Sequence, residues 1–199
     1  MNYPNFFNTI ATIKLQDPLS DFLGTFENGM VEFSYLDVVK SAGHSCPTVA
    51  GAYLTTLKGL EALYKDEIPT RGNISVSIKN DMQEGVTGVI SNVITQITGA
   101  TELSGFKGLN GKFARHDLMH FNADIDGAVK FTRLDNNKSV TVNYDHSSVA
   151  GNPKMQELMG KLMQGLASAE EKKEFGQLWQ ERVEAIFQNI DKVITLKED

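Results

Sequence analysis

The chain has 199 residues, 41% of them hydrophobic and 22% charged, which is the balance of a globular domain and excludes extended disorder. The formal charge is −6, and the Lys and Arg residues are not clustered, which argues against nucleic acid as the main partner. No stretch approaches the roughly 20 consecutive apolar residues of a membrane helix, so we expect no membrane partner.

Cysteine usage and the N-terminal sequence both bear on the location of the protein. Cys46 is the only cysteine, so no disulfide can form within the chain, which favours a reducing compartment. The N-terminal residues lack the basic start and the apolar run of a signal peptide. Together these two features predict a cytoplasmic protein.

The first 45 residues contain short elements. Apolar side chains on one side predict a short helix over residues 6–15, and residues 30–35 alternate in the manner of an edge strand. Ser34 followed by Asp37 resembles a capping box, which predicts a helix start. That helix is expected to end at Gly43, since glycine suits the left-handed position after a helix.

The centre of the chain mixes helices and strands. A helix is predicted over residues 47–64, with Cys46 near its N-cap and a proline at its first position. Residues 73–79 alternate cleanly and predict a strand. Residues 86–98 are rich in Val, Ile and Thr, yet their apolar side chains recur at helical spacing, so we predict a helix.

The second half is predicted to be β and then helical. Residues 112–121, 128–134 and 139–144 are strand candidates, the last two joined by a hairpin turn. In the helical segment 152–194, one helix capped by Ser168 would span about 40 Å. Such a helix often packs on a partner subunit, which favours a homodimer; packing across its own core is the alternative. The whole chain is thus predicted to be one α+β domain, with a mixed or antiparallel sheet and a long C-terminal helix.

Residue types suited to metal chemistry concentrate at His44 and Cys46, directly before the helix predicted over residues 47–64. A helix N-terminus has unpaired N–H groups and roughly half a positive charge, which favour the thiolate form of a cysteine. The histidine adds a ring nitrogen, so the pair offers ligands that zinc prefers and that iron, cobalt and nickel accept. We expect a divalent metal ion here, zinc above the others. A buried cysteine beside a histidine that caps the helix is the alternative.

His116 and His120 are candidates for a further ligand. On a helix they would share one ion, but on a strand they would lie about 13 Å apart, because each residue advances about 3.3 Å. The surrounding alternation predicts a strand, so at most one of them completes the site, with His120 as the first choice. A hydrogen-bonded polar residue on a sheet face is the alternative for each.

Other polar and sulfur-bearing residues carry weaker signals. Asp81 directly follows a predicted strand, where it is a candidate metal ligand, a partner of the histidine ligand, or a general base. Ordinary turn chemistry is the alternative for Asp81. His146 is predicted to be an exposed turn residue. Met155, Met159 and Met163 recur at helical spacing, which favours core packing over a soft-metal site.

The motif Gly-His-Ser-Cys-Pro at residues 43–47, followed by Val-Ala-Gly-Ala-Tyr at 49–53, resembles the FmdE-like family, which is named after formylmethanofuran dehydrogenase. That family is marked by Gly-His-x-Cys-Pro before a helix of small residues. The resemblance covers roughly residues 30–145. Looser matches are Asn80-Asp81 after a strand, Thr98-Gly99-Ala100-Thr101, and Gly111-Lys112.

The resemblance implies an α+β core, an intertwined dimer, and a metal bound near the His44–Cys46 turn. It also implies a redox enzyme as partner, linked to molybdenum or tungsten one-carbon metabolism. The chain departs from the family at Ala100, where many relatives have a cysteine. It also lacks the cysteine-rich C-terminal zinc finger of some relatives, so the roles of that finger are not transferred.

Three functions are therefore considered. The first is a homodimeric metal-binding protein of this family that handles metal or serves a one-carbon enzyme. The second is a metal-dependent enzyme in which the ion activates water and Asp81 or a histidine moves protons. The third is a structural domain without metal, in which Cys46 is buried and His44 caps the helix.

Overall fold

The structure is a computed structural model that describes residues 2–198. None of the helices in this range combines the length and the apolar character that crossing a membrane requires. A 3-10 helix over Asn5–Thr9 precedes the regular elements. The α-helices are α1 (Pro18–Phe22), α2 (Tyr35–Ala42), α3 (Pro47–Tyr64), α4 (Thr87–Thr98), α5 (Lys154–Met163), α6 (Ala169–Gln188) and α7 (Ile190–Val193). The strands are β1 (Ile13–Gln16), β2 (Met30–Phe33), β3 (Ile74–Ile78), β4 (Met119–His120), β5 (Val129–Arg133), β6 (Ser139–Tyr144) and β7 (Ile194–Glu198).

Five strands form the main sheet in the order β4-β3-β5-β6-β7, while β1 and β2 form a separate antiparallel pair. Within the main sheet β3 pairs in parallel with β4, and all other neighbours are antiparallel. Alternate residues of β3 and β5 are buried, as expected for strands that present one face to a layer of helices. The predicted α+β class, with a mixed sheet and a long C-terminal helix, is confirmed.

Helix α3 lies at the centre of the molecule. Fourteen of its 18 residues are buried, and it contacts α2, α4, α6 and three strands of the main sheet. Two glycines permit this packing, because a Cβ at Gly51 would overlap the ring of Tyr144 and one at Gly59 would overlap the ring of Phe131. The start of α3 is thereby held against the end of β6.

Local sequence signals located several elements correctly. Ser34 and Asp37 form the predicted capping box of α2, and Gly43 ends that helix with a φ of 77°. Helix α4 matches the helix predicted over residues 86–98, and β6 has the bounds predicted for it. These elements are specified mainly by residues adjacent in sequence.

Two predicted elements near the N-terminus and in the middle were wrong. Residues 6–15 form the 3-10 helix and then most of β1, because the alternation from Ile13 pairs with β2. Of residues 112–121, only Met119 and His120 pair as a strand. The segment before them contains left-handed residues such as Phe113, with a φ of 62°, which interrupt an extended backbone.

The C-terminal segment is not one continuous helix. Helix α6 ends at Gln188, and Asn189 leaves helical geometry with φ −125° and ψ 39°. Helix α7 follows, and residues 194–198 then join the main sheet as β7, antiparallel to β6. The helix predicted to reach residue 194 was therefore too long, since pairing with a distant strand decides the structure of the chain end.

Helix α6 packs across its own core. Val183 and Ile186 are buried, and the ring of Phe187 lies 4.7 Å from that of Tyr35 and 6.4 Å from that of Tyr53. Of the two alternatives for the long helix, packing on its own domain is therefore the one observed. The homodimer stays a prediction.

The methionine stripe of α5 differs from its predicted role. Met155 is 8% exposed, but Met159 is 37% and Met163 is 81% exposed. Core packing therefore holds for Met155 alone, because α5 lies at the surface against α6. The other two methionines present thioethers toward the outside of the molecule.

A buried charge cluster joins β1 to distant segments. Asp17 is 7% exposed and caps α1 by accepting hydrogen bonds from the N–H groups of Leu19 and Ser20. Its carboxylate lies 3.1 Å from Nη1 of Arg71 and 2.6 Å from Nη2 of Arg115. Burial alone would raise the pKa of Asp17, but hydrogen bonds from the two arginines and the α1 backbone hold it below its usual value.

Gly51→Ala should destabilise the protein by about 2 kcal/mol, because the added methyl group must displace the Tyr144 ring. That ring is held by a hydrogen bond from its hydroxyl to the Pro47 carbonyl. Urea unfolding followed by circular dichroism measures the change. Gly176→Ala on α6 is the matched control: its Cβ meets nothing within 4 Å, so it should stabilise by about 0.5 kcal/mol. Equal effects of the two substitutions would contradict the prediction.

Asp17→Asn should lower the free energy of unfolding at neutral pH by about 3 kcal/mol, since two largely buried guanidinium groups lose their counter-charge. The control is Glu61→Gln, which breaks an exposed ion pair with Lys58 and should change stability by less than about 0.5 kcal/mol. Urea denaturation compares the variants.

The wild type and Asp17→Asn together test the pH dependence. Because the folded-state pKa of Asp17 is lowered, its stabilisation is present above the unfolded pKa of about 3.9 and is lost as pH falls through the folded-state pKa. The urea midpoint of the wild type should therefore fall more steeply below about pH 4 than that of Asp17→Asn. Parallel acid profiles would count against this role of Asp17.

Candidate metal centre at the His44–Cys46 turn

The predicted metal-binding turn lies between α2 and α3. Gly43 ends α2 in the left-handed region, and Cys46 caps α3 with an extended backbone (φ −151°, ψ 169°). Pro47 occupies the first position of α3, as its fixed φ and missing N–H favour. The imidazole of His44 and the thiol of Cys46 are therefore held two residues apart at the start of the most buried helix.

The imidazole of His44 is oriented by the end of α2. Its Nδ1 lies 3.0 Å from the carbonyl oxygen of Ala42. Because a carbonyl oxygen only accepts, Nδ1 carries the proton in this bond and Nε2 keeps its lone pair. Metal-bound histidines use this arrangement. The side chain is exposed and borders a cavity of about 440 Å³ formed with α4.

Cys46 itself is the cap of α3. Its side chain is half-buried, and its Sγ accepts a hydrogen bond from the N–H of Val49 at 3.4 Å. Donors of this kind at a helix N-terminus favour a thiolate. The structural alternative assigned the cap to His44, which is wrong, because the His44 ring bonds to the last turn of α2 instead.

Ser45, between the two candidate ligands, is anchored from two sides. Its hydroxyl lies 2.9 Å from the hydroxyl of Tyr35. Its carbonyl accepts hydrogen bonds from Nε1 of Trp179 at 3.0 Å and Nε2 of Gln180 at 3.2 Å. Sequence reasoning missed these two residues of α6, because 134 positions separate Trp179 from Ser45 and no local motif marks the contact.

Two tyrosines enclose the thiol with neutral groups. Tyr144 donates its hydroxyl proton to the Pro47 carbonyl at 2.8 Å, and Tyr35 bonds to Ser45. Burial raises the pKa of both phenols, and a negative charge on Cys46 raises them further. The tyrosines therefore stay protonated at neutral pH and act on the turn as hydrogen-bond partners without charge.

The other predicted ligands lie around β4 and the end of β3. His120 is exposed on β4, and His116 is half-buried in the irregular segment before that strand. The carboxylate of Asp81 accepts hydrogen bonds from the Gln83 N–H at 2.8 Å and from Nδ2 of Asn122 at 2.9 Å. These bonds lower the pKa of Asp81. They are the bonds of an ordinary turn, which was the alternative for this residue.

Within residues 2–198 of one chain, no three His, Cys, Asp or Glu side chains lie together in a way that could hold a metal ion. His44 and Cys46 are therefore at most a two-donor site inside this range, whereas zinc ordinarily takes four ligands. Ligation by His120 or His116 stays a prediction. Any ion at the turn needs donors from solvent, from a small molecule or from a second chain.

The cavity beside His44 offers space but no general base among the described residues. Apart from His44, its lining contains no side chain that takes up or releases a proton near neutral pH. A metal-activated water would need such a group to accept its proton. The other lining residues include Ser41, Val89, Asn92, Val93, Thr95 and Gln96.

His146 is not the exposed turn residue that its local sequence predicted. It is half-buried, and its ring packs edge-on against Tyr144 with the centroids 5.5 Å apart. Its Nδ1 is buried without a hydrogen-bond partner in the described part of the chain. A turn pattern reports only the local backbone, so it gave no sign of the packing that covers this histidine.

The family of the chain follows from comparison with known proteins. The family described as FmdE, molybdenum formylmethanofuran dehydrogenase operon, matches residues 42–195, well over half of the sequence. The chain belongs to the FmdE family. The resemblance drawn from the His44–Cys46 turn is thereby confirmed. No curated protein matches the chain.

The FmdE match begins just before His44 and continues through α6 to the start of β7. It extends well past residue 145, where the motif resemblance ended. Trp179 and Gln180 therefore lie in the same family region as the turn that they hold. The C-terminal helices belong to the FmdE domain itself and are not an appendage to it.

Proposed function

We propose that this FmdE-family protein binds a divalent metal ion, zinc before others, through Nε2 of His44 and Sγ of Cys46. The observation that carries the proposal is the bond of His44 Nδ1 to the Ala42 carbonyl, which leaves Nε2 as the free donor. The sulfur of Cys46 lies two residues away at the N-terminus of α3. Nitrogen and sulfur are the donors that zinc prefers.

A second copy of the chain supplies a further ligand in this proposal. Strand β4 is an edge of the main sheet, and the imidazole of His120 on it is exposed and open to another chain. His116 is half-buried and is the second choice. Exposed apolar side chains, such as Phe22 at 64% and Leu103 at 71%, offer surface that a second copy would cover. A homodimer accounts for both features.

In its cellular role the protein would handle the metal ion for a redox enzyme of one-carbon metabolism. The operon in the description of its family supports this assignment. A single cysteine supports a reducing compartment, the cytoplasm. The metal-dependent enzyme gains no support, since the described lining of the cavity beside His44 lacks a base.

Zinc content tests the site. Protein purified without an affinity tag and dialysed against zinc should hold a near-stoichiometric amount by mass spectrometry, whereas His44→Ala and Cys46→Ser should lose it. Serine is a good N-cap, so Cys46→Ser removes the thiolate but keeps α3 capped; circular dichroism checks the fold. Asn92→Ala changes the same cavity without removing a donor and should retain zinc. Equal zinc in the wild type and both ligand variants, or none in the wild type, would overturn the proposal.

A mixing experiment tests the shared site. His44→Ala and His120→Ala chains should each bind little zinc alone. After joint unfolding and refolding they should recover part of the zinc content, because each mixed dimer of a two-fold assembly restores one intact site. Sedimentation confirms the dimer. Dimers that recover no zinc would exclude sharing through His120, and a monomeric wild type would exclude the homodimer.

A further inference from the structure

A groove between α5 and α6 lies close to the His44–Cys46 turn but is separate from the cavity beside His44. It has a volume of about 360 Å³, and Arg182, Met155, Met159 and Trp179 are among its walls. The indole of Trp179 also donates to the Ser45 carbonyl, so one side chain borders both features. We name it the Arg182 groove.

Arg182 is the one charged side chain among the described lining residues of the groove. It is half-buried on α6, and its Nε is buried without a hydrogen-bond acceptor. None of the ion pairs within residues 2–198 involves Arg182. A partly desolvated cation is normally paired, and this chain has a net charge of −6. The groove therefore presents an unmet demand for an anion.

Neighbouring side chains show the same deficit. Gln180 Oε1 and His146 Nδ1 are also buried without partners among residues 2–198. Gln180 bonds to Ser45 next to Trp179, and His146 packs on Tyr144, which lies within electrostatic reach of Arg182. Because folded proteins pair nearly all buried polar groups, a concentration of exceptions in one region points to a missing polar occupant.

The remaining walls of the groove are suited to an apolar body. Met155 is buried, Met159 is partly exposed, and the Trp179 ring adds a flat aromatic surface. Thioether side chains adapt their shape to what they contact, and they are common at binding surfaces for apolar groups. The two methionines that line the groove belong to the stripe that core packing did not fully explain.

The charge of the groove sets the charge of its occupant. Lys154 follows the groove residue Pro153 in sequence, but it is paired with Glu174 at 2.5 Å. Arg182 thus leaves a single positive charge available, which suits a monoanion better than a dianion. We propose that the Arg182 groove binds a small organic monocarboxylate, with the carboxylate on the Arg182 guanidinium and the apolar part against Met155, Met159 and Trp179.

The chain contains a built-in reporter for this test. Trp179 is its only tryptophan, so intrinsic fluorescence reports directly on the groove. Hexanoate is the probe, because it is a monocarboxylate that does not absorb where tryptophan does. Titration of the metal-free protein should give a saturable change, and calorimetry provides an independent affinity. 1-Hexanol tests the need for the charge, and inorganic phosphate tests the need for the apolar body.

Two substitutions probe opposite walls of the groove. Arg182→Gln removes the cation and should weaken hexanoate binding by at least about tenfold. Gly151→Ala places a Cβ 3.0 Å from Cδ of Arg182 and 3.1 Å from Sδ of Met155, so it should also weaken binding by narrowing the groove. Lys173→Gln, an exposed position on the same helix, is the charge-matched control and should bind hexanoate as the wild type does.

The outcomes separate this proposal from the metal proposal, because the titration needs no metal ion. Saturable hexanoate binding that Arg182→Gln weakens and Lys173→Gln leaves unchanged supports the groove as a carboxylate site. Equal affinity in wild type and Arg182→Gln would overturn it, as would equal binding of 1-hexanol and hexanoate. The absence of both a fluorescence change and binding heat in the wild type would also overturn it. If Arg182→Gln does not fold, Gly151→Ala decides the question.

Discussion

The burial of helix α3 is the constraint on which the rest of the molecule depends. An 18-residue helix with 14 buried positions leaves little surface for solvent, so the sheet, α4 and α6 must all meet it closely. Gly51 and Gly59 permit this, because the rings of Tyr144 and Phe131 occupy the space that a side chain would take. Close packing of this kind fixes the start of the helix, and Cys46 is fixed with it.

Helix α6 connects the core, the metal-binding turn and the Arg182 groove. Phe187 packs into the aromatic core beside Tyr35, and about two turns earlier Trp179 donates to the Ser45 carbonyl. Arg182 lies between these positions on the same rigid element. A molecule in the groove would contact Trp179 and would therefore be one hydrogen bond away from the turn that carries His44 and Cys46.

The chemistry of the turn favours binding over hydrolysis. His44 is exposed with one nitrogen fixed by a backbone carbonyl, while the thiol of Cys46 is half-buried among neutral hydroxyl groups. A two-donor arrangement leaves several coordination positions for ligands from outside, which suits an ion that is received and passed on. Hydrolysis by a metal-bound water would also require a nearby proton acceptor, and the described walls of the adjoining cavity do not contain one.

The sequence by itself determined the elements and contacts that short-range chemistry specifies. The capping box at Ser34, the glycine that ends α2, the proline that starts α3 and the period-two alternation of β6 all depend on neighbours in the chain. The same local signals brought His44 and Cys46 to one turn and carried the FmdE resemblance. Only the tertiary structure decided that residues 194–198 form a strand, that His146 is covered, and that Trp179 holds Ser45. Those features depend on partners many residues away, whose positions follow from how the buried faces pack together and not from any local pattern.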